Sequence, residues 1–366
     1  MSEIPERVRE LIRTSGLYQR DFAERIGLDD SKLSKSLSGA RRFSSLDLAH
    51  IAEACGVTVD WLLTGIDPPL AVAARTTGGS AGDALRLAKR YSRMRDGLAR
   101  FGYPQPWRPV EISEPSGYVD QGKRLAAAGL ARVTESSRSV TEPDLPALIE
   151  DVFGADVAVA ALGEGFDGLA VASTEIRLVL LATSHTPSRQ RFTLAHELGH
   201  LLAGDDQGLH LDNDVFDKTQ RKQPSEQCAN TFAAEFLMPE GLLRARIEGG
   251  LTTESFAALA CELMVTPSAL ALRLKSLRFI DAGVAEQWKS ITAVKAAALA
   301  GRDDDFARRV VAAGQARPPG LLLRDAFAAY QSGKTTLRPY ANLLEIDVDE
   351  LRLSLESDGG VTKAVE

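Results

Sequence analysis

The sequence predicts a mainly α-helical protein with a small β-sheet, an α+β fold. Residues 7–63 read as short helices broken by glycines, and apolar residues recur at helical spacing from residue 191 to residue 355. Three short apolar runs between these regions indicate strands, at 156–162, 168–173 and 177–182. We therefore expect three domains and one linker: domains at 1–67, 116–280 and 281–366, and the linker at 68–115.

Composition limits the class of protein. The chain has 366 residues, 44% hydrophobic and 25% charged, which is enough for two or three domains. A formal net charge of −7 excludes nucleic-acid binding through bulk positive charge, although a local helix contact stays possible. No apolar run approaches the roughly 20 residues of a transmembrane helix, and no signal peptide is evident. The three cysteines contain no C-x-x-C pair and indicate reduced thiols, so we expect a cytoplasmic protein.

The N-terminal region is predicted to form five helices, at 6–13, 18–26, 30–37, 45–55 and 58–63. Gly16, Gly27, Gly39 and Gly56 fall between them, where a helix end favours a residue that tolerates positive φ. The linker is then predicted to hold a helix at 83–101. Its apolar stripe is expected to lie opposite a basic face that includes Arg95. This helix either docks on the following domain or serves as a dimerisation helix.

The central region contains the motif H-E-x-x-H within the helical stretch R-F-T-L-A-H-E-L-G-H-L-L at 191–202. On a helix, His196 and His200 lie one turn apart on the same face, so both imidazoles can bind one ion. Glu197 lies close enough to reach water at that ion. Two neutral nitrogens, an open position and a proton-accepting carboxylate are what a zinc hydrolase needs. The motif predicts a metal-dependent hydrolase with one Zn²⁺ per chain.

A third protein ligand is required, and two residues can supply it. Asp206 follows His196 by ten residues, the spacing of the metzincin motif, but Ala203 stands where that motif has its glycine. Glu226 begins a second helical stretch, E-Q-C-A-N-T-F-A-A-E-F-L-M-P. Asn230 shares the face of Glu226 and can accept the outer N–H of a metal-bound histidine. We favour Glu226 and keep Asp206 as the alternative.

The pairing of R-x-R-F-T-L-A-H-E-L-G-H with E-x-x-A-N-x-F-A-A-E-x-L-M-P resembles the ImmA/IrrE family of metallopeptidases, over roughly residues 116–280. The resemblance implies a zincin-like domain in which His196, His200 and Glu226 hold zinc and Glu197 is the catalytic base. It also implies a partner-protein substrate, usually a transcriptional repressor; an antitoxin-like partner is the other expectation. The alternative is a non-proteolytic sensor of a ligand or partner. The three predicted strands suit a sheet whose edge strand lies over the site and receives an extended peptide.

The N-terminal region resembles the Cro/C1-type (XRE) helix-turn-helix domain. The matching segments are L-Y-Q-R-D-F-A-E-R-I-G-L, S-K-L-S-K-S-L-S-G and G-V-T-V-D-W-L-L. The resemblance implies that the third helix enters the major groove of DNA. Six residues are candidate DNA contacts: Gln19, Ser31, Lys32, Lys35, Arg41 and Arg42. Between Ser31 and Leu46 the chain has basic residues and no acidic one. We expect a palindromic operator and a homodimer; the alternative is a bundle for protein contact.

The C-terminal region is predicted to be helical, with helices at about 291–300, 303–313, 321–332, 337–344 and 348–355. The segment G-K-T-T beginning at Gly333 lacks the preceding strand and glycine of a phosphate-binding loop, so we expect no nucleotide site there. A partner-docking or dimerisation role and a second helix-turn-helix-like element both stay open.

Overall fold

The computed structural model of the chain describes residues 4–15, 17–55, 57, 59–64, 71–76, 82–162, 165–173, 176–204, 210–212 and 224–361. Helices dominate these residues, and five strands form one sheet. The α+β class predicted from the sequence is confirmed. The chain divides into two compact units, Met1–Pro69 and Leu70–Glu366. The finer domain boundaries at 67, 115 and 280 stay predictions.

The first unit is a bundle of five helices, and each was predicted to within a few residues. They are α1 (Ile4–Ser15), α2 (Gln19–Arg25), α3 (Asp30–Leu37), α4 (Ser45–Cys55) and α5 (Val59–Thr64). Their apolar faces meet in one core that includes Phe22, Leu33 and Ile51. Gly27 and Gly39 adopt φ of +66° and +79°, as their positions after helices predict. Gly16 and Gly56 lie outside the described residues.

A buried arginine joins the two ends of this bundle. Arg7 on α1 is 4% exposed, and its guanidinium donates to the carbonyl oxygens of Leu62 and Leu63, each at 2.9 Å. The last carbonyls of a helix have no partner within the helix, so a cationic donor there also matches the helix dipole. Arg7 therefore fixes α5 against α1.

The second unit is built on a sheet with the strand order β2-β4-β3-β1-β5. The strands are β1 (Ala71–Thr76), β2 (Asp156–Ala160), β3 (Phe166–Ala172), β4 (Arg177–Ala182) and β5 (His210–Asp212). β2 pairs with β4 in parallel, and β4–β3 and β3–β1 are antiparallel. The three predicted strands are confirmed as β2, β3 and β4.

β1 and β5 were not predicted from the sequence. β1 lies in the segment that we expected to be a linker, and it pairs with β3 along its whole length, from Ala71 opposite Ala172 to Thr76 opposite Phe166. β5 pairs with β1 in parallel. The expectation that an edge strand lies over the site stays a prediction, and β3 is not an edge strand, because it has a neighbour on both sides.

Helices cover both faces of the sheet. Before the site they are α6 (Gly82–Arg100), α7 (Tyr118–Glu135) and α8 (Leu145–Phe153). The site helices and those that follow are α9 (Pro187–Ala203), α10 (Pro224–Leu237), α11 (Glu240–Ile247), α12 (Thr253–Leu263) and α13 (Pro267–Ser276). The C-terminal helices are α14 (Ala282–Lys289), α15 (Ala293–Leu299), α16 (Asp303–Ala313), α17 (Gly320–Gln331), α18 (Arg338–Leu344) and α19 (Val348–Val361).

Alternation along the strands sends side chains into two cores. Ala170, Val179 and Leu181 face the core that contains α7 to α10, whereas Leu169 and Leu180 face the core formed with α6 and α17. A strand buried on both faces reads as a continuous apolar run. This explains why β4 has the sequence R-L-V-L-L-A rather than a polar alternation.

Arg95 on α6 is not on an exposed basic face, which corrects the sequence prediction. Its side chain is 0% exposed, with Nη2 at 2.8 Å from Asp156 of β2 and Nη1 at 2.6 Å from Asp325 of α17. The buried stripe of α6 runs through Ala88, Tyr91 and Leu98 and includes Arg95. The helix docks through this buried ion cluster as well as through apolar contacts.

In the part of the chain that the structure describes, no single helix is long and apolar enough to span a membrane. Helices α12 and α13 meet that criterion only as a pair, and this pair is bent by 106°.

Candidate metal centre

The motif H-E-x-x-H lies in the middle of α9, the most buried helix around the site. α9 begins at Pro187, where the ring fixes a helical φ and no backbone N–H is lost from the ladder. It ends before Gly204, whose φ of +66° is the left-handed conformation that terminates helices. Every residue from Thr193 to Leu202 is buried, so the two histidines and Glu197 lie inside the protein.

α10 approaches α9 closely because α9 has a glycine at the contact. A Cβ on Gly199 would lie 3.1 Å from a ring carbon of Phe232 and 3.2 Å from the Cα of Ala229. On the other side of α10, a Cβ on Gly122 of α7 would lie 2.5 Å from the carbonyl oxygen of Cys228. The glycines therefore let three helices pack at short range and bring Glu226 to the histidines.

His196, His200 and Glu226 converge on one point. The two Nε2 atoms are 3.1 Å apart, and the Glu226 carboxylate oxygens are 3.3 Å from Nε2 of His196 and 3.0 Å from Nε2 of His200. A tetrahedral zinc with ligand bonds of about 2.0–2.1 Å separates its ligand atoms by about 3.3–3.4 Å. The donor set therefore fits a zinc ion in both chemistry and spacing.

The electrostatics of the centre keep its carboxylate charged. Burial raises the pKa of Glu226, but hydrogen bonds and charge from His196 and His200 outweigh burial, and the pKa lies well below its ordinary value. Glu226 is only 4% exposed, so this anion depends on the two imidazoles or on a cation between the three groups.

Glu197 lies beside the ligands and beneath the sheet. It is 1% exposed, and a Cβ added to Gly168 of β3 would lie 3.3 Å from its Cγ and 2.6 Å from Cγ2 of Thr193. Gly168 thus leaves the space that Glu197 occupies between α9 and β3. In the register of the sheet, Arg75 of β1 lies opposite Gly168.

Two other sequence predictions concern the third ligand. Asn230 lies one turn after Glu226 on α10 and is partly exposed, but no hydrogen bond joins it to either histidine among the described residues. Its contribution to ligand orientation stays a prediction. Asp206, the alternative ligand, lies outside the described residues.

The candidate DNA contacts are arranged around α3. Asp29 caps the helix by accepting a hydrogen bond from the backbone N–H of Ser31 at 2.7 Å. Ser31, Lys32 and Lys35 are exposed on one helix face, and Arg42 is exposed in the following turn. The structure leaves these four side chains exposed, and their contact with DNA stays a prediction.

Arg41 and Gln19 have partners inside the first unit. Arg41 donates to Oγ of Ser36 at 2.9 Å and forms an ion pair with Asp47 at 2.8 Å. Burial raises the pKa of Asp47, but hydrogen bonds from Ser44 and Arg41 lower it below its ordinary value. Gln19 donates to Asp30 at 3.0 Å. These bonds fix the positions of the Arg41 and Gln19 side chains, and their contact with a DNA phosphate stays a prediction.

The fold and the site together define a protein with a helix-turn-helix domain followed by a metallopeptidase-like domain. Residues 6–68 match the model of a helix-turn-helix domain, and residues 151–275 match the IrrE N-terminal-like domain. The chain thus joins an XRE-like DNA-binding domain to an IrrE-like peptidase domain, as the sequence resemblances implied.

Two curated relatives share part of the chain. The radiation response metalloprotease IrrE of Deinococcus radiodurans is 33% identical over 179 residues, which are 46% of this chain and 51% of that protein. The radiation response metalloprotease IrrE of Deinococcus deserti is 41% identical over 70 residues, which are 19% of this chain and 25% of that protein. The match therefore spans about half the length of the first relative or less.

Sequence reasoning missed the glycines that shape the site. Gly168 interrupts an apolar strand and Gly199 interrupts an apolar helix, and both patterns can indicate close backbone approach. The signal was present at both positions, but only the tertiary contacts show which neighbour approaches.

Proposed function

We propose that the chain is a DNA-binding regulator with a zinc-dependent endopeptidase that cleaves a repressor-like or antitoxin-like protein. The observation that supports this most strongly is the convergence of His196, His200 and Glu226 within 4.8 Å, with Glu197 adjacent on the same helix. When bound, zinc supplies a Lewis acid that polarises a carbonyl and lowers the pKa of water.

The protein side chains have separate tasks. The two histidines and Glu226 would hold the metal, and Glu197 would not be a ligand. A buried carboxylate beside the ligands can take the proton from the attacking water and pass it to the leaving amine. The apolar walls around α9 exclude other water from the reaction.

The sheet suggests how a substrate is held. An extended peptide binds by main-chain hydrogen bonds to a strand beside the catalytic helix, and β3 is that strand. In this structure β1 holds the position, antiparallel to β3, with Arg75 opposite Gly168. A substrate would pair with β3 after displacing β1, so an unfolded or extended segment of the partner protein is the expected target.

The DNA-binding domain would bring the peptidase to promoters. Lys32 and Lys35 are exposed on α3, which in this class of domain is the helix that enters the major groove. The names of the two Deinococcus relatives connect those proteins to a radiation response. We propose a stress-linked role for this chain by that relationship, in the cytoplasm and with a palindromic operator bound by a homodimer.

The test is Glu197→Gln, which removes the base and leaves the ligands in place. We expect zinc content, melting temperature and operator binding to stay at wild-type level, while cleavage of the protein encoded beside this gene falls by about 10²-fold or more. Cleavage is measured with purified proteins by mass spectrometry of new termini. Glu240→Gln, an exposed glutamate on α11, is the matched control and should cleave normally.

The alternative function is a sensor in which the metal domain binds a ligand or partner without proteolysis. A sensor needs the three metal ligands but not a base. Normal gene induction in cells that carry only the Glu197→Gln protein would therefore contradict the enzyme and support the sensor.

A further inference from the structure

A cavity of about 870 Å³ lies in the second unit, apart from the metal ligands. Its walls are the N-terminal half of α9, the start of α8, the end of α12 and helix α16. None of the three metal ligands and no atom of Glu197 lines it. Pockets for small molecules have volumes of about 300–1,000 Å³, so this cavity has the size of a ligand site.

Arginines outnumber carboxylates in the lining. The arginines are Arg191, Arg302, Arg308, Arg309 and Arg317, and the carboxylates are Asp144, Glu262 and Asp305. Each carboxylate already has a partner: Asp144 accepts from the backbone N–H of Ala147 at 2.9 Å, Glu262 binds Arg246 at 2.8 Å, and Asp305 binds Arg308. Arg302 and Arg308 pair with Asp305, and Arg317 pairs with Glu150, so Arg191 and Arg309 are the lining arginines that have no ion pair among the described residues.

Arg191 is the most buried of these arginines. It is 7% exposed, and its two terminal nitrogens donate to the carbonyl oxygens of Pro143 and Val140. Its Nε is buried and makes no hydrogen bond within the described residues. Burial and the charge of Arg309 lower the pKa of Arg191 to about 10, although the charges of Asp144 and Glu142 raise it, so the guanidinium stays charged at neutral pH.

Arg309 on α16 faces the same space. It donates to the carbonyl oxygens of Asp305 and Cys261, each at 3.3 Å, and within the described residues it forms no ion pair. The hydrogen bonds of both guanidinium groups thus go to neutral carbonyls, and Asp144 and Glu142 act on Arg191 only from beyond ion-pair distance. A buried charge is costly without an opposite charge, so the arrangement calls for an anion between Arg191 and Arg309.

The remaining walls are apolar, with Leu181, Leu194 and Met264 among them. We propose that the cavity binds a small organic anion, whose carboxylate, sulfonate or phosphate group lies between Arg191 and Arg309 and whose apolar body packs on these side chains. Such a ligand joins α9 to α16. Arg191 is five residues before His196, so the ligand contacts the helix that carries the metal centre.

The experiment uses the full chain and a matched pair of fluorescent probes. The anionic probe is 8-anilinonaphthalene-1-sulfonate, and the neutral probe is N-phenyl-1-naphthylamine, which has the same rings without the sulfonate. Binding is measured by fluorescence titration and calorimetry. We expect about one sulfonate probe per chain, which raises the melting temperature because it binds the folded state.

Two variants locate the site. Arg309→Gln should lower the affinity for the sulfonate probe about tenfold, the loss expected for one charge-assisted hydrogen bond. The affinity for the neutral probe should stay unchanged. Ala312→Trp should fill the cavity and weaken both probes. Arg244→Gln, an exposed arginine on α11 outside the cavity, is the control and should bind like wild type. Each variant must first show the wild-type melting temperature.

The proposal is overturned if the sulfonate probe does not bind, or if it binds equally well to Arg309→Gln and Ala312→Trp. It is also overturned if Arg309→Gln weakens both probes alike, because the anionic group would then have no specific partner there.

Discussion

Replacing Arg95 by Met should destabilise the second unit strongly. Arg95 is fully buried, and its guanidinium forms three hydrogen bonds with Asp156, at 2.8, 3.1 and 3.2 Å, and one with Asp325 at 2.6 Å. Met has a similar length and no charge. The variant therefore leaves two carboxylates in the core without their cation.

The size of the stability loss depends on the hydrogen bonds that the two carboxylates keep in the variant. Asp156 still accepts from Gln105 at 2.8 Å and from the backbone N–H of Leu322 at 2.9 Å, while Asp325 keeps Arg324 at 2.8 Å. Removing one partner of a buried ion pair costs about 3–5 kcal/mol. For a domain of this size that corresponds to a fall in melting temperature of roughly 10 °C.

The loss should depend on pH in a defined direction. Burial raises the pKa of Asp156 to about 6, although Arg95 lowers it, and the ordinary value is 3.8. Because the folded-state pKa is the higher one, protonation favours the folded state. Asp156 thus contributes stability that is complete below about pH 4 and lost as the pH rises through about 6. Without Arg95 its pKa rises further, so the variant loses most at about pH 8 and less at about pH 5.

Differential scanning calorimetry of the full chain at these two pH values provides the assay. Arg100→Met is the control, since Arg100 lies on the same helix, is 75% exposed and pairs with Asp96 at the surface. The control should lower the free energy of unfolding by less than about 1 kcal/mol. A loss for Arg95→Met as small as the control, or one that grows as the pH falls, would refute the reasoning.

Three further predictions concern the metal, DNA and the sheet. Glu226→Ala should reduce zinc from about one per chain to a weakly bound fraction by mass spectrometry of the native protein, and equal loss in Asp206→Ala instead would reverse the ligand assignment. Lys35→Ala should weaken operator binding and lower the slope of log affinity against log salt by about 1, and an unchanged slope would exclude a phosphate contact. Val72→Pro and Ala73→Pro remove successive N–H groups of β1, and successive N–H groups point to opposite neighbours. One of the two variants should therefore weaken the pairing of β1 with β3 and raise the rate of substrate cleavage severalfold. Unchanged or lower rates in both would show that β1 does not compete with substrate.

Local patterns predicted most of the secondary structure and pointed to the three candidate metal ligands that the structure brings together. The positions of His196 and His200 on one helix and of Glu226 on another can be read from the sequence. Only the approach of the two helices is tertiary information. The end of α9 at Gly204 and the caps at Asp29 and Asp144 follow from local chemistry in the same way.

The parts that sequence reasoning missed depend on contacts between distant segments. Arg95 and Asp325 are 230 residues apart, and nothing near Arg95 in the sequence distinguishes it from the exposed arginines of α6. β1 has the short sequence A-V-A-A-R-T, and it pairs with β3 and β5, which lie far from it in the sequence. The charge pattern of the cavity likewise combines Arg191 with Arg309, which local periodicity does not connect.

These long-range contacts also show why the C-terminal helices form one compact unit with the sheet. α17 covers the face of the sheet opposite α9, where Leu322 and Ala326 enter the same core as Leu180 of β4. Its first turn donates the backbone N–H groups of Gly320 and Leu322 to two buried carboxylates, Glu150 of α8 and Asp156 of β2. The sheet that positions α9 therefore has a second face that the C-terminal segment must cover. The candidate metal centre lies on the face where α9 packs against β3 and β4, and the Arg95 cluster joins α6 and α17 to β2 on the other face.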